Sequence, residues 1–440
     1  MAGIVSYGAY LPRTRLPFAL VAGRPAKEGG PERTVAWNDE DALTMAVAAS
    51  ASCLRGLDRS SVDGVLFAST THPFREKQGA ALLARVLDLP REVRTADYSG
   101  SLRAGLQALR GAIDAVAAGS SRRVLVVASD CRLAAPGSGL ETKLGDGAAA
   151  FLVGDVDCVA SFETAYAVAD EIVDVWRAEG DRFVHSWEDR FVLQEGYAPR
   201  EKPAHGLDDA RSHGEVCRTL RIPAERVQDP LFGRVGDAGT AFAPLLLAAS
   251  LETLRPGERV IVAGYGDGAE ALSFQASAQI EKLEPRRGVS WHLARRRAAK
   301  SYDRYLKARG LQTREYEPPR DQGLSATVHH RERDEDLSFC GQRCRRCNAV
   351  QFPMQRVCET CFAKDDFERV RLADRVGKLV TYTFDFFFPT TDPPTIVTVT
   401  EVEGARVHIQ LINVSPEDVK LDMPVEFSFR RIHESGGSPN

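Results

Sequence analysis

Four cysteines in the last quarter of the chain are spaced to hold a metal ion. Cys344-Arg-Arg-Cys347 and Cys358-Glu-Thr-Cys361 are two pairs with two residues inside each and ten between them. Four thiolates complete a tetrahedral zinc site and leave no position for water, so the spacing predicts a structural ion and not a catalytic one. Cys340 is a fifth, spare thiol. A second chemical signal carries no reactive side chain. The run Arg94-Thr-Ala-Asp97-Tyr98-Ser-Gly-Ser-Leu102-Arg-Ala-Gly105 leads into apolar residues at helical spacing, Leu106, Leu109, Ile113 and Val116. The small residues before Leu106 favour a tight turn onto a helix whose first N–H groups face outward, a place to hold a carbonyl oxygen.

The elements that must position this helix read as an alternating α/β pattern. Asp63-Gly-Val-Leu-Phe-Ala-Ser-Thr70 and Arg123-Val-Leu-Val-Val-Ala-Ser-Asp130 are buried strands on either side of it, and Ile4 to Pro12 is a first strand. The acidic run Asn38-Asp-Glu-Asp41 starts a helix over Ala42-Leu-Thr-Met-Ala-Val-Ala-Ala. Gly145 to Gly154 is a Gly/Ala-rich strand, Ala241 to Leu254 an apolar helix, and Arg259 to Ala263 a strand that delivers Gly264-Tyr-Gly266-Asp-Gly268.

In these motifs and their order the chain resembles the thiolase superfamily, in particular 3-hydroxy-3-methylglutaryl-CoA synthases and type III β-ketoacyl-carrier-protein synthases. The resemblance covers about residues 3–275. It implies an α/β protein with a duplicated, five-layered αβαβα fold, its two βαβαβαββ halves at about 1–157 and 158–275; within the sequence only 145–154 and 266–274 are faintly alike. In those families an Asp is followed five residues later by a nucleophilic Cys at the start of a buried helix. Counted from Asp97, that position is Leu102. The catalytic Glu of the synthases falls on Thr70, and the superfamily's catalytic His falls on about Gly206, one residue from His205 and seven from His213. Either histidine could be a base or an ordinary surface group. Gly236-Asp237-Ala-Gly-Thr240 matches the Gly-Asn-Thr turn whose Asn binds the thioester oxygen. Asp237 must then be protonated, act as a base, or shape the turn. The loop at Gly266 matches the one that completes the oxyanion hole with a backbone N–H. Val173-Asp-Val-Trp-Arg177, followed by His185-Ser-Trp187, resembles the Asp-Phe-Trp-Arg-Pro segment of the synthases.

Beyond residue 275 the composition shifts. Residues 276–338 read as a basic helical linker, in which Arg295, Arg296 and Arg297 are either solvated or placed against the phosphates of coenzyme A. Residues 339–366 resemble a rubredoxin-like zinc ribbon, and 367–433, with four alternating segments, an OB-fold barrel of the kind that accompanies thiolase-type enzymes of acyl-CoA metabolism. The aromatics Phe384, Phe386, Phe387 and Phe388 have few basic neighbours, which argues against nucleic acid.

The chain has 440 residues, 43% hydrophobic, with a net charge of -4 and nine cysteines. These values fit a multidomain globular protein in a reducing, cytoplasmic setting and call for neither a nucleic-acid nor a membrane partner. Leucine cannot form an acyl-enzyme. The resemblance therefore implies an acyl-CoA enzyme, a transferase or lyase, that makes or breaks a C–C bond by aldol or retro-aldol chemistry, with a base among Tyr98, His205, His213 and Asp237. It also implies a homodimer through the central sheet and possible association with other acyl-CoA enzymes. The alternatives are a catalytically inert acyl-CoA-binding or scaffolding protein and, from the ribbon and barrel, a nucleic-acid binder.

Overall fold

The computed structural model describes residues 2–171, 174–186, 214, 217, 218, 220–312, 326–388, 390, 392–431, 434, 435, 438 and 439. It divides into two compact units, Met1–Tyr305 and Leu306–Asn440.

The first unit contains the strands β1 (Gly3–Tyr10), β2 (Thr14–Pro17), β3 (Glu32–Thr34), β4 (Gly64–Ala68), β5 (Arg94–Tyr98), β6 (Val124–Asp130), β7 (Gly147–Gly154), β8 (Ala160–Ala169), β9 (Val175–Trp176), β10 (His185–Ser186), β11 (Arg259–Tyr265), β12 (Gly268–Ala276) and β13 (Arg297–Ala298). Its helices include α1 (Phe18–Val21), α2 (Ala42–Cys53), α3 (Gly79–Val86), α4 (Ala104–Ala117) and α5 (Phe242–Leu251). Eight strands form one mixed sheet in the order β11-β12-β8-β1-β7-β6-β4-β5. β4 lies parallel to β5 and β6, so the three strands end at the same edge of the sheet. All seven residues of β6 are buried, which is why that strand reads as an unbroken apolar run and not as an alternating one. Helix α2 is capped by Asp41, whose carboxylate accepts from Thr44 N while Thr44 Oγ1 accepts from Asp41 N, each at 2.8 Å. The acidic run seen in the sequence thus ends in a capping box.

The two expected halves contribute unequally to this sheet. The first half contributes β1, β4, β5, β6 and β7, whereas among the described residues the second contributes only β8, β11 and β12 to the sheet. These join the first half through Gly3↔Ser161 and Ile4↔Ala160. A five-layered arrangement needs two sheets, and the described strands make one large sheet instead. The faint similarity between 145–154 and 266–274 falls on β7 and β12, the last strand of each half.

Residues 276–305 do not behave as a linker. His292 is buried with its Nε2 2.9 Å from Ala9 O, β13 pairs in parallel with β2, and Tyr305 is fully buried with Arg33 donating to its hydroxyl at 2.8 Å. These anchors carry the first unit to residue 305.

The second unit has a three-stranded sheet of β14 (Cys340–Cys344), β15 (Val350–Gln351) and β16 (Phe367–Arg371), followed by β17 (Val376–Asp385), β18 (Thr395–Val402), β19 (Ala405–Leu411) and β20 (Pro424–Glu426). The last four form an antiparallel sheet in the order β19-β18-β17-β20 over a core that includes Leu379, Ile396 and Val419. β19 and β20 remain its two edges, so among the described residues the expected barrel is an open, four-stranded sheet. No described helix is long and apolar enough to cross a membrane.

Candidate functional site

The loops that leave the common edge of β4, β5 and β6 converge on the start of α4. From β6 comes Asp130, fully buried. One of its oxygens accepts from Ser69 Oγ at 2.9 Å, Thr70 N at 2.8 Å and Thr71 Oγ1 at 2.8 Å. The other accepts from Thr70 Oγ1 at 2.9 Å, Thr240 N at 2.8 Å and Thr240 Oγ1 at 2.9 Å. With about four lone-pair sites for six donors, this carboxylate has no capacity left for a substrate proton. Thr70, in the position of the family's acid, is thereby tied to the floor. Two residues beyond Asp130, Arg132 forms a buried ion pair with Asp237, whose other oxygen accepts from Gly239 N at 2.9 Å. Burial works against the Arg132 charge, but Asp237 and Asp130 beside it outweigh that and hold the guanidinium above its usual value. Of the three roles open to Asp237, the structure favours shaping the turn; a carboxylate bound to Arg132 and Gly239 is not a free base.

Helix α4 meets this floor at its second residue. A Cβ on Gly105 would lie 2.3 Å from Thr240 O, so the close approach of helix and turn requires glycine there. At the helix start the half-buried Leu102 presents an N–H with no hydrogen-bond partner among the described residues. The Gly266 loop lies directly against it: a Cβ on Gly266 would sit 2.7 Å from Ser101 Oγ, 2.9 Å from Leu102 N and 3.0 Å from Arg103 N. Gly266 O accepts from Ser101 Oγ at 2.9 Å, and Gly266 N–H donates to Gly268 O at 2.9 Å. The loop therefore shapes the pocket wall, but its expected oxyanion donor is already engaged. Arg103 is held away, donating to Val168 O at 2.7 Å.

Leu102 and Gly266 are thus brought together, Thr70 and Asp237 join the network of Asp130 and Arg132, and Tyr98 stands apart from both. The Tyr98 hydroxyl lies where a Cβ on Gly111 would approach it to 2.8 Å. That is nine residues, or roughly 13 Å of helix, beyond Leu102. His205 and His213, like Val173 and Trp187, lie outside the described residues. Arg295, Arg296 and Arg297 are not gathered as an anion site. Arg296 pairs with Glu32 at 2.7 Å, the Arg295 guanidinium stands 4.3 Å from the Trp291 ring centroid, and Arg297 belongs to β13. Burial pushes Cys53 up to about 12 and also raises Cys158 and Cys217, so none of these three thiols is prepared as a nucleophile.

A cleft of about 740 Å³ opens beside the floor, lined by Thr70, His72, Asp97, Ser99 and Arg177 among others. Arg177, in the segment most like the synthases, donates to Thr70 O, and His72 Nε2 is 3.3 Å from Tyr98 O. Sequence reasoning passed over Asp130, Arg132 and His72. The available signal for the first two was their position two and four residues beyond the apolar run Val124–Ala128.

In the second unit the sulfurs of Cys344, Cys347, Cys358 and Cys361 all lie within 4.8 Å of one another. Cys344 and Cys361 are 3.6 Å apart, as are Cys347 and Cys358. Four sulfurs at about 2.3 Å from a central ion would be roughly 3.8 Å apart, so the donor set fits a tetrahedral metal. Backbone N–H groups of Cys361 and Thr360 help draw the Cys358 thiol down to about 6. Cys340 stays outside the group, its Sγ 3.5 Å from Ser338 O.

The mixed sheet, the buried helix aimed at the ends of parallel strands, and the glycine loop against it define a thiolase-type fold. MvaS in complex with 3-hydroxy-3-methylglutaryl coenzyme A superposes with a TM-score of 0.59 at 19% identity, covering 73% of this chain and 95% of that one. The β-ketoacyl-[acyl carrier protein] synthase III of Thermus thermophilus gives 0.52 at 21% identity, covering 63% and 99%. In sequence, the hydroxymethylglutaryl-CoA synthase of Aeropyrum pernix is 30% identical over 341 residues, 70% of this chain and 94% of that protein. That of Archaeoglobus fulgidus is 28% identical over 340 residues, 70% and 98%. The chain belongs to the hydroxymethylglutaryl-CoA synthase family, a family of acyl-CoA-condensing enzymes. No protein-family model matches it.

Proposed function

We propose that the first unit binds an acyl-CoA thioester with its carbonyl oxygen at the start of α4, and makes or breaks the adjacent C–C bond without an acyl-enzyme. The observation that carries this reading is the unpartnered N–H of Leu102, in the nucleophile's position and walled by Gly266. In the breaking direction a base takes the proton of a β-hydroxyl, the new carbonyl forms as the Cα–Cβ bond breaks, and the electron pair passes to the thioester as an enolate. That enolate is what the Leu102 N–H stabilises, and reprotonation at Cα releases a shorter acyl-CoA. The making direction is the reverse. Because Tyr98 is remote and Asp237 is paired, the base falls to His205 or His213, or to His72 in the cleft. The test is turnover of β-hydroxyacyl-CoA substrates combined with mass spectrometry of the protein; an acyl group trapped on any cysteine of residues 1–305 would refute the non-covalent route.

A second reading, an acyl-CoA-binding or scaffolding protein without catalysis, is favoured by the hydrogen-bond saturation of Asp130 and the Arg132–Asp237 pair. Tight acyl-CoA binding with no turnover would select it. For the second unit we infer a structural Zn²⁺ on Cys344, Cys347, Cys358 and Cys361 in a ribbon of about 339–366, with the open sheet that follows, about 367–433, as an OB-type module. β5 is an edge strand of the large sheet, and a homodimer that adds the partner's strand there completes the proposal; light scattering at micromolar concentration tests it.

A further inference from the structure

A groove on the second unit has a chemistry that neither the zinc site nor the thioester reaction uses. It measures about 430 Å³ and is lined mainly by Arg343, Glu368, Arg369, Arg371, Asp374 and Arg375, four guanidiniums against two carboxylates. Two of the arginines are engaged. Arg371 donates to Ser338 O and pairs with Asp374, each at 2.9 Å, and Arg369 reaches Asp334 at 3.4 Å. Arg343 and Arg375 differ. Their nearest acceptor is the shared carboxylate of Glu403, 3.5 Å from Arg343 Nη2 and 3.6 Å from Arg375 Nε. Glu368 stands 3.8 Å from Arg343 Nε. None of these three contacts is a hydrogen bond, whereas Arg369 does donate to Asp334. Arg343 Nε is moreover buried and has no hydrogen-bond partner.

The frame around these two guanidiniums is built and not incidental. Pairing of β14 with β16 sets Arg343 opposite Glu368, and Glu403 occupies the turn between β18 and β19 at φ +52°. Each guanidinium offers five N–H donors in a planar fork, a shape that matches phosphate oxygens two at a time. One carboxylate shared between two forks leaves most of those donors unused, and a phosphate, with more oxygens and more charge, would satisfy both.

We propose that Arg343 and Arg375 form a binding site for a diphosphate-type anion, the group carried by nucleotides and by coenzyme A, with Glu403 as the resident carboxylate that it displaces. The test is titration calorimetry on the full chain, at low salt, with inorganic pyrophosphate, ADP and coenzyme A. Arg375→Ala changes a half-exposed side chain outside the metal cluster and is expected to weaken pyrophosphate about tenfold, as is Arg343→Gln. Glu403→Gln removes the competing charge and is expected to strengthen pyrophosphate about three- to tenfold, a gain that a merely structural role for the network would not produce. Coenzyme A binding that exceeds ADP by tenfold and falls in Arg375→Ala would assign the anion to the thioester substrate; ADP equal to coenzyme A, with the same dependence, would assign it to a free nucleotide. Both outcomes support the site. It is overturned if pyrophosphate does not bind at millimolar concentration, if Arg375→Ala binds like the parent while folded and metal-loaded, or if Glu403→Gln weakens binding. An oligonucleotide that binds far more tightly than pyrophosphate through the same arginines would overturn it in favour of nucleic acid.

Discussion

Gly266→Ala is the sharpest probe of the thioester site. The added Cβ would stand 2.9 Å from Leu102 N, the distance at which an accepting oxygen would sit, and 2.7 Å from Ser101 Oγ. Two effects follow. The backbone at φ +157° disfavours an L side chain, which costs the fold about 1–3 kcal/mol. The substrate oxygen also loses its place against the helix N–H, and removal of one such donor costs about 3 kcal/mol of transition-state stabilisation, or roughly a hundredfold in rate. The assay is turnover per folded molecule, with folding followed by thermal melting and near-ultraviolet dichroism. In the non-catalytic reading the same change is read as lost acyl-CoA affinity. A variant that melts as one folded species and keeps both turnover and affinity within threefold of the parent would refute the placement of the thioester at Leu102.

Three further expectations rest on the same structure. Chelation, or Cys344→Ser, should strip the second unit of metal and unfold residues 340–430 while the first unit keeps its melt, because a four-thiolate site contributes folding energy locally; metal analysis and limited proteolysis check this. Asp130→Ala would strand the donors of Ser69, Thr70, Thr71 and Thr240 in a buried setting. At about 1–3 kcal/mol for each unsatisfied group, the denaturant midpoint of the first unit should fall by several kcal/mol in free energy. Burial drives His292 down to about 3. The unfolded chain then takes up a proton below about pH 6.5 while the native state resists until about pH 3. Stability should therefore fall as pH drops through that window, by about 1.4 kcal/mol per unit at most, and His292→Gln should remove this part of the acid sensitivity. Urea midpoints measured from pH 7 to pH 4 decide it.

Much of the first unit could be read from the sequence, because β1, β4, β6 and β7 are buried on both faces and so appear as apolar runs, and because Asp41 and Thr44 form a local cap. The cysteine spacing likewise revealed the thiolate cluster, since two Cys-X-X-Cys pairs impose their own geometry. Other features resisted for physical reasons. Tyr98 looked close to Leu102 along the chain, but its strand points it along the body of α4. Asp237 gave no sign of Arg132, a partner 105 positions away whose pairing depends on tertiary packing. The anchors His292 and Tyr305 lie in a basic stretch whose composition suggests solvent, and only burial shows that they close the first unit. That Leu102 stands five residues after Asp97, where the resemblance expects a cysteine, is read directly from the sequence.

The web around Asp130 also sets how the site moves. A single buried carboxylate joins residues 69–71, 130 and 240, segments far apart in the chain, and two of its six donors are backbone amides, Thr70 N and Thr240 N. Either loop, on opening, leaves its own donors and part of the Asp130 carboxylate unsatisfied, so each should open only together with the core. In deuterium, the amides of Thr70 and Thr240 would exchange slowly and at a common rate, as core strands do, although neither lies in a strand. The floor beneath Leu102 is thus a rigid seat, and any motion that admits a substrate belongs to the walls above it.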